Sequence, residues 1–200
     1  MSKIKKIWVE IIFSALLALT VLVSLKGGLR SNPQGYRKQL VKNNVEVPYT
    51  NLETYLRTVS KMTNSMVVIT VKGDQGRYVS RDAIEELKSM GFTEYGTLRE
   101  NISHSFIGIW NKGKVVYEQV GGDESISYGQ YINNHYIYVQ SATEDTGNLG
   151  NIYIDSVQYS VAGPGLNIVT IDLDDAKLID SINFNTTEKD NPVERLPNKI

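Results

Sequence analysis

The sequence predicts an α+β fold of antiparallel, β-sandwich-like sheets flanked by two helices and preceded by one N-terminal transmembrane helix. Three observations lead to this prediction: an apolar stretch near the N-terminus, two short amphipathic segments, and many β-branched and aromatic runs separated by turn residues. With 200 residues, 41% of them hydrophobic, the chain has enough material for one globular domain and an appendage.

The N-terminal stretch predicts a membrane anchor. Residues 7–25 are apolar apart from Glu10 and a few hydroxyl side chains, and Lys3, Lys5 and Lys6 precede them. As a helix this run would reach about 28 Å, nearly the thickness of the hydrocarbon layer. Its end lacks the small-x-small pattern of a signal-peptide cleavage site, so we favour an uncleaved signal-anchor over a cleaved signal peptide.

The anchor predicts the location of the protein and the division of the chain. We expect a single-pass protein of the plasma membrane, with its globular domain outside the cytoplasm. The predicted segments are an anchor at residues 1–26, a linker at 27–48, a globular domain at 49–187 and a polar tail at 188–200.

Two helices are predicted early in the domain. Thr50, with a glutamate three residues later, matches a capping box and predicts a helix that ends near Met62. Ser80 is the expected N-cap of a second helix over residues 81–90, and Gly91 is its expected C-terminal stop.

The remaining runs predict strands. Residues 66–71, MVVITV, read as a buried strand, and a compact turn at 111–113 predicts a hairpin. We expect the hairpin that follows Gly163 to complete the sheet of residues 66–71; the alternative is exchange into a neighbouring chain. The other predicted strands are residues 105–110, 114–117, 135–141, 151–155, 158–161, 166–172 and 177–184.

Charge and cysteine usage exclude some partners. Five basic residues and one acidic residue give residues 1–30 a net charge of +4, so residues 31–200 carry −5 of the total of −1. Residues 115–176 contain no lysine or arginine, which disfavours a nucleic-acid partner. Cysteine is absent, which removes disulfides and thiolate chemistry and favours a bacterial surface protein.

Four segments together resemble the interleukin-like EMT inducer (ILEI, or PANDER-like) domain. GPGLN, residues 163–167, resembles the family's Gly-Arg-Gly turn, and MVVITVKGDQG, residues 66–76, resembles its buried strand and Asp-containing loop. KSMGF, residues 88–92, resembles the end of its second helix, and HSFIGIWNKG, residues 104–113, resembles its Asp-Ser-Trp strand. The two halves stand in the reverse of the family's order, which implies a circular permutation joined through a polar connector at residues 121–134.

The resemblance implies a fold and, in sugar-reading members, a site. Those members use an arginine in the glycine turn, an Asp after the buried strand and a second arginine. The matching positions here are Pro164, Asp74 and Ser103, so only Asp74 is kept as a candidate ligand-binding residue.

Tyrosines offer a second route to a ligand. Seven tyrosines crowd into residues 117–159, and Tyr136, Tyr138 and Tyr153 are our candidate ligand-binding residues. Flat amphipathic rings suit sugar faces and protein partners alike, although tyrosine is also common on ordinary strand surfaces.

No catalytic, metal or cofactor site is predicted. His104, His135 and Ser160 lack the spacing of a nucleophile with its base, and the acidic turn at residues 172–175 favours a hairpin over a calcium loop. We therefore predict a membrane-tethered, noncatalytic module that binds a glycan or cell-envelope polymer. The alternative is a protein-interaction or assembly subunit that uses the tyrosines or an exchanged hairpin; the sequence leaves the oligomeric state open.

Overall fold

The computed structural model of this chain describes residues 51–73, 78–95, 104–174 and 177–196. They form antiparallel sheets and two helices, which is consistent with the predicted α+β class. The predicted membrane helix, residues 7–25, lies outside the described residues. In the part of the chain that is described, no helix has the length and apolar character needed to cross a membrane.

Two helices and ten strands make up the described chain. A large sheet has the strand order β10-β9-β8-β1-β2-β3, and a small sheet has the order β4-β5-β6-β7. The helices are α1 (Leu52–Val59) and α2 (Arg81–Ser89), and the strands are β1 (Ser65–Lys72), β2 (Ser105–Asn111), β3 (Lys114–Gly122), β4 (Ile126–Ile132), β5 (His135–Ser141), β6 (Gly150–Ile154), β7 (Val157–Gln158), β8 (Gly165–Asp172), β9 (Leu178–Phe184) and β10 (Val193–Arg195).

The domain has three layers, with the large sheet in the middle. Val67, Ile69 and Val71 of β1 pack towards the helices, whereas Met66 and Val68 pack towards the small sheet. Successive side chains of a strand point to opposite faces, so a strand covered on both faces needs apolar residues at almost every position. This burial explains why β1 is a continuous β-branched run.

The β8–β9 hairpin completes the sheet of β1, as predicted. β8 pairs antiparallel with β1 along its whole length, from Ser65 opposite Asp172 to Lys72 opposite Gly165. β9 then pairs with β8. These pairings lie within a single chain, and they place β1 between β8 and β2.

Two buried asparagines hold the turn that leads into β8. The Asn167 Nδ2 donates to the Gly163 carbonyl at 2.8 Å, and the Asn167 Oδ1 accepts the Gly163 N–H at 3.0 Å. The Asn183 Nδ2, from β9, donates to the carbonyls of Pro164 at 2.9 Å and Leu166 at 3.0 Å. Because buried backbone groups need partners, these amides stabilise the turn where no sheet ladder reaches it.

The start of α1 differs by one residue from the prediction. Asn51, not Thr50, is the N-cap: its backbone is extended and its side chain accepts the Thr54 N–H at 3.0 Å. Asparagine and threonine both cap well, so the sequence alone does not choose between adjacent candidates. The helix ends at Val59, and the chain up to Met62 continues with tighter bonds between residues three apart.

Both predicted ends of α2 are confirmed. The Ser80 Oγ accepts the Ala83 N–H at 3.1 Å. At the other end Gly91 has φ +100°, and the Phe92 N–H binds the Leu87 carbonyl at 3.1 Å. This is a Schellman motif, in which the two residues that bracket the glycine are both buried.

Three expectations about the strands were wrong or incomplete. Residues 121–134 are not a plain connector, because they contain β4, which forms a hairpin with β5. A further strand, β10, lies in the expected polar tail and pairs with β9. The predicted strand at residues 158–161 is reduced to the two residues of β7. These are edge strands or short strands with mostly polar outer positions, so their sequences resemble loops.

Gly165 should not tolerate a side chain. Its φ is +84°, and a Cβ there would lie 2.5 Å from both the Phe184 oxygen and the Thr186 nitrogen. We expect Gly165→Ala to lower the free energy of unfolding by at least about 3 kcal/mol, because backbone strain adds to a clash with backbone atoms. Urea denaturation would measure the loss.

The matched control for this prediction is Gly113→Ala. Gly113 has φ +85°, but nothing lies within 4 Å of its Cβ position. Gly113→Ala should therefore lower the free energy of unfolding by only about 1 kcal/mol, the cost of placing alanine in the left-handed backbone conformation. Equal losses for the two variants would contradict the role of close packing at Gly165.

An ion pair joins the last two strands of the large sheet. The Arg195 Nη2 lies 3.4 Å from the Asp180 Oδ2, and the Ser181 N–H donates to the Asp180 Oδ1 at 2.9 Å. Burial nevertheless raises the pKa of Asp180, although Arg195 and the Ser181 N–H act in the opposite direction.

The raised pKa of Asp180 predicts a pH-dependent stability. The folded state binds the Asp180 proton more readily than the unfolded state, so this contribution is complete below the unfolded pKa and is lost as the pH rises through the folded pKa. The free energy of unfolding of the wild type should therefore fall relative to that of Asp180→Asn as the pH rises above about 4. Urea titrations of both proteins over a series of pH values would measure the difference; a difference that grows with pH would show that Arg195 dominates, and a constant difference would show that the opposing effects cancel.

Candidate functional site

The outer face of the small sheet carries a group of aromatic and amide side chains, which we call the tyrosine face. Alternation along the strands turns the apolar residues of β5 and β6 inwards onto the large sheet. The alternate positions point outwards, and they are Tyr131 of β4, Tyr136, Tyr138 and Gln140 of β5, Asn151 and Tyr153 of β6, and Gln158 of β7.

The four tyrosines form two cross-strand pairs. Tyr131 lies opposite Tyr136 with ring centroids 5.2 Å apart, and Tyr138 lies opposite Tyr153 with centroids 5.9 Å apart. Tyr131 is the most exposed, at 74%. The rings are tilted against each other by 56° and 39°, which is a favourable aromatic geometry. The predicted candidates Tyr136, Tyr138 and Tyr153 therefore lie on one face of one sheet.

Gly129 leaves space between the two pairs. It lies opposite Tyr138, and a Cβ at this position would come within 2.7 Å of the Tyr136 hydroxyl oxygen. The Tyr136 ring leans across the strand into the space that a side chain would occupy. The absence of a side chain at Gly129 thus fixes the direction of the Tyr136 hydroxyl.

A row of amides borders the tyrosines. The Gln158 Nε2 donates to the Asn151 Oδ1 at 3.1 Å, and the Asn151 Nδ2 donates to the Gln140 Oε1 at 3.4 Å. The chain of bonds orients each amide, and an amide group offers both donors and acceptors. These three residues were missed by the sequence analysis, although Gln140 continues the period-two pattern of Tyr136 and Tyr138.

One carboxylate lies at the Tyr136 end of the face. Asp155 is in the two-residue turn between β6 and β7, and both it and Ser156 have positive φ, as a type I′ turn requires. The Asp155 Oδ1 accepts the Tyr136 N–H at 2.9 Å, and the Oδ2 lies 2.7 Å from the His135 Nδ1. The side chain of Asp155 is 50% exposed, so it remains accessible from solvent.

The other tyrosines of this region have structural roles. Tyr117 of β3 and Tyr128 of β4 stack with centroids 4.1 Å apart, and burial raises the pKa of both hydroxyls. Tyr159 is buried between the two sheets. The crowding of tyrosines in the sequence therefore mixes two groups, and only the register of the strands separates them.

The candidate Asp74 lies outside the described residues. Two residues before it, the Lys72 Nζ donates to the Ala162 carbonyl at 2.8 Å, close to the turn that holds Pro164. The position where sugar-reading relatives carry an arginine is thus a proline in a turn fixed by asparagines. Ser103, the other matched position, is also outside the described residues.

His135 and Ser160, which the sequence analysis considered for catalysis, do not contact each other and have other partners. His135 binds Asp155, and the Ser160 Oγ accepts the Ile152 N–H at 3.1 Å inside the core. In the acidic turn after β8, the Asp172 Oδ1 accepts the Asp174 N–H at 2.8 Å, a local bond typical of turns. Among the residues that the structure describes, no group of three or more potential ligands could hold a metal ion.

Comparison with known protein families supports the resemblance. Residues 33–114 match the family model of the interleukin-like EMT inducer, and this match supports an ILEI-like domain in that part of the chain. Comparisons with curated proteins and with solved structures gave no match. An ILEI-like domain suggests an extracellular or secreted module.

The matched segment and the tyrosine face occupy different parts of the chain. Within the described residues the match covers α1, β1, α2 and β2, whereas the small sheet begins only at Ile126. The face is therefore built from residues beyond the matched segment. The circular permutation, which concerns the order of the two halves, stays a prediction.

Proposed function

We propose that this protein is a membrane-tethered, extracytoplasmic, noncatalytic module that binds a glycan or cell-envelope polymer through the tyrosine face. The observation that carries the proposal is the gathering of four outward tyrosines and three amides on one face of one sheet. The predicted anchor at residues 7–25 would hold this face near the cell surface.

The chemistry of the face suits sugars. The tyrosine rings offer flat apolar surface to the C–H faces of a pyranose, and their hydroxyls can bind its oxygens. The amides of Gln140, Asn151 and Gln158 supply both donors and acceptors. Neither group carries charge, so ligand binding here does not require the desolvation of an ion.

The rigidity of the face also supports binding. The inner side chains of β5 and β6, such as Ile137, Val139 and Ile152, are fully buried against the large sheet. Strands anchored in this way present their outer side chains in fixed positions, which reduces the entropy lost when a ligand binds.

The proposal predicts glycan binding that depends on Tyr138. Full-length protein in neutral detergent should bind a subset of a glycan array, and Tyr138→Ala should weaken the hits about tenfold, or about 1.4 kcal/mol, by removing one stacking surface. Isothermal titration calorimetry with a positive glycan would measure the change. Asp74→Ala in the same assay tests the remaining candidate from the sequence.

Tyr78→Ala is the matched control, because Tyr78 is 36% exposed, the same as Tyr136, but lies outside the small sheet. It should leave binding unchanged, and circular dichroism should confirm that both variants fold. A blank array would argue against the glycan proposal. If Tyr138→Ala then abolished capture of an envelope protein instead, the protein-interaction alternative would be the better account of the face.

A further inference from the structure

The small sheet and its connecting turns contain no lysine or arginine. No such residue occurs between Lys114 and Lys177, a stretch that includes all four strands of the small sheet and the segments that join them. Three turns between β3 and β7 contain exposed carboxylates, namely Asp123, Glu124, Glu144, Asp145 and Asp155. The turns that lead into and join the strands of the small sheet are therefore acidic.

One of these carboxylates borders the tyrosine face. Asp155 is bonded through its Oδ1 to the backbone of Tyr136, whose ring pairs with that of Tyr131. A half-exposed carboxylate, whose Oδ2 also lies 2.7 Å from the His135 Nδ1, is thus fixed at the end of the aromatic group. A ligand that stacks on Tyr136 would bring its next substituents close to this charge.

Aromatic rings and carboxylates favour the same kind of ligand charge. The face of a tyrosine ring attracts cations, by about 0.5–1 kcal/mol at exposed sites, and a carboxylate attracts them over a longer distance. An anionic polymer, in contrast, would find no lysine or arginine on the strands and turns of the small sheet and would be repelled by the carboxylates of those turns. Charge complementarity therefore favours a polymer with cationic groups over an anionic polymer.

We propose that the ligand of the tyrosine face is an amine-bearing polysaccharide, such as a partly de-N-acetylated hexosamine polymer. The inference rests on the proposed function and narrows its ligand class. The rings stack on the sugar faces, the row of amides binds neutral hydroxyl or acetamido groups, and protonated amines lie against the rings and Asp155. Phosphate-rich and uronate-rich polymers are excluded from the face.

The test compares three hexamers that differ in charge. Full-length protein in neutral detergent is titrated calorimetrically with glucosamine, N-acetylglucosamine and galacturonate hexamers at a pH where the amines are protonated. The glucosamine hexamer should bind at least about fivefold more tightly than the acetylated hexamer, and this preference should shrink from about 50 mM to about 500 mM salt as charges are screened. The galacturonate hexamer should show no binding.

Variants separate the charge contribution from the stacking contribution. Asp155→Asn keeps an oxygen that can accept the Tyr136 N–H, so it should reduce the preference for the amine hexamer over the acetylated hexamer about threefold. Asp190→Asn, an exposed site outside the small sheet, is the matched control and should change neither affinity.

The outcomes distinguish the two proposals. If the acetylated hexamer binds as tightly as the amine hexamer and Tyr138→Ala weakens both, the amine inference is overturned and the glycan-binding function stands. Tyr138-dependent binding of the galacturonate hexamer would likewise overturn only the inference. If none of the hexamers binds and the glycan array is also blank, both proposals fail together.

Discussion

The burial of β1 on both of its faces is the constraint on which the rest of the structure depends. A strand of this kind needs a covering layer on each side and a hydrogen-bonded neighbour at each edge, because neither its side chains nor its backbone groups can be left to water. The chain supplies the helices for one face, the small sheet for the other, and β2 and β8 for the edges. Each other element can be understood as a response to this requirement.

The neighbour β8 comes from far along the sequence, and its position needs specific support. The turn before it contains Gly163 and Pro164, which precede the ladder, and it leads into Gly165, the first residue of β8. Buried amides from β8 and β9 satisfy its backbone groups instead. The same residues that hold the turn therefore join the two strands of the hairpin, and this coupling explains why a buried asparagine lies in each strand.

The tyrosine face follows from the second covering layer. The small sheet must turn apolar side chains towards β1, β2 and β8, and alternation then sends every other residue to solvent. The need to bury the inward side chains does not determine the identity of these outward residues. Here they are tyrosines and amides rather than the lysines and glutamates that usually keep an exposed sheet soluble and separate. A surface that departs from this usual pattern supports the proposed binding role. The lack of lysine and arginine on the small sheet is the basis for the proposed charge preference of the ligand.

The sequence by itself determined the local features of this protein. The β-branched run of β1, the serine and glycine that bound α2, the turn at Lys112 and Gly113, and the late β8–β9 hairpin were all predicted, because each depends on propensity, capping or turn chemistry within a few residues. Asn51 as the cap of α1 was missed by one residue because two good capping residues are adjacent.

Tertiary structure decided which strands pair and which side chains share a face. β4 and β10 resemble loops in sequence and become strands only because a partner strand is present to pair with them. The tyrosines could be counted in the sequence, but their division into a partly buried pair, a core residue and an outward face depends on strand register, and a shift of one residue would exchange the two faces. Register is set by contacts between distant segments, so the composition of the face was visible in the sequence whereas its assembly was not.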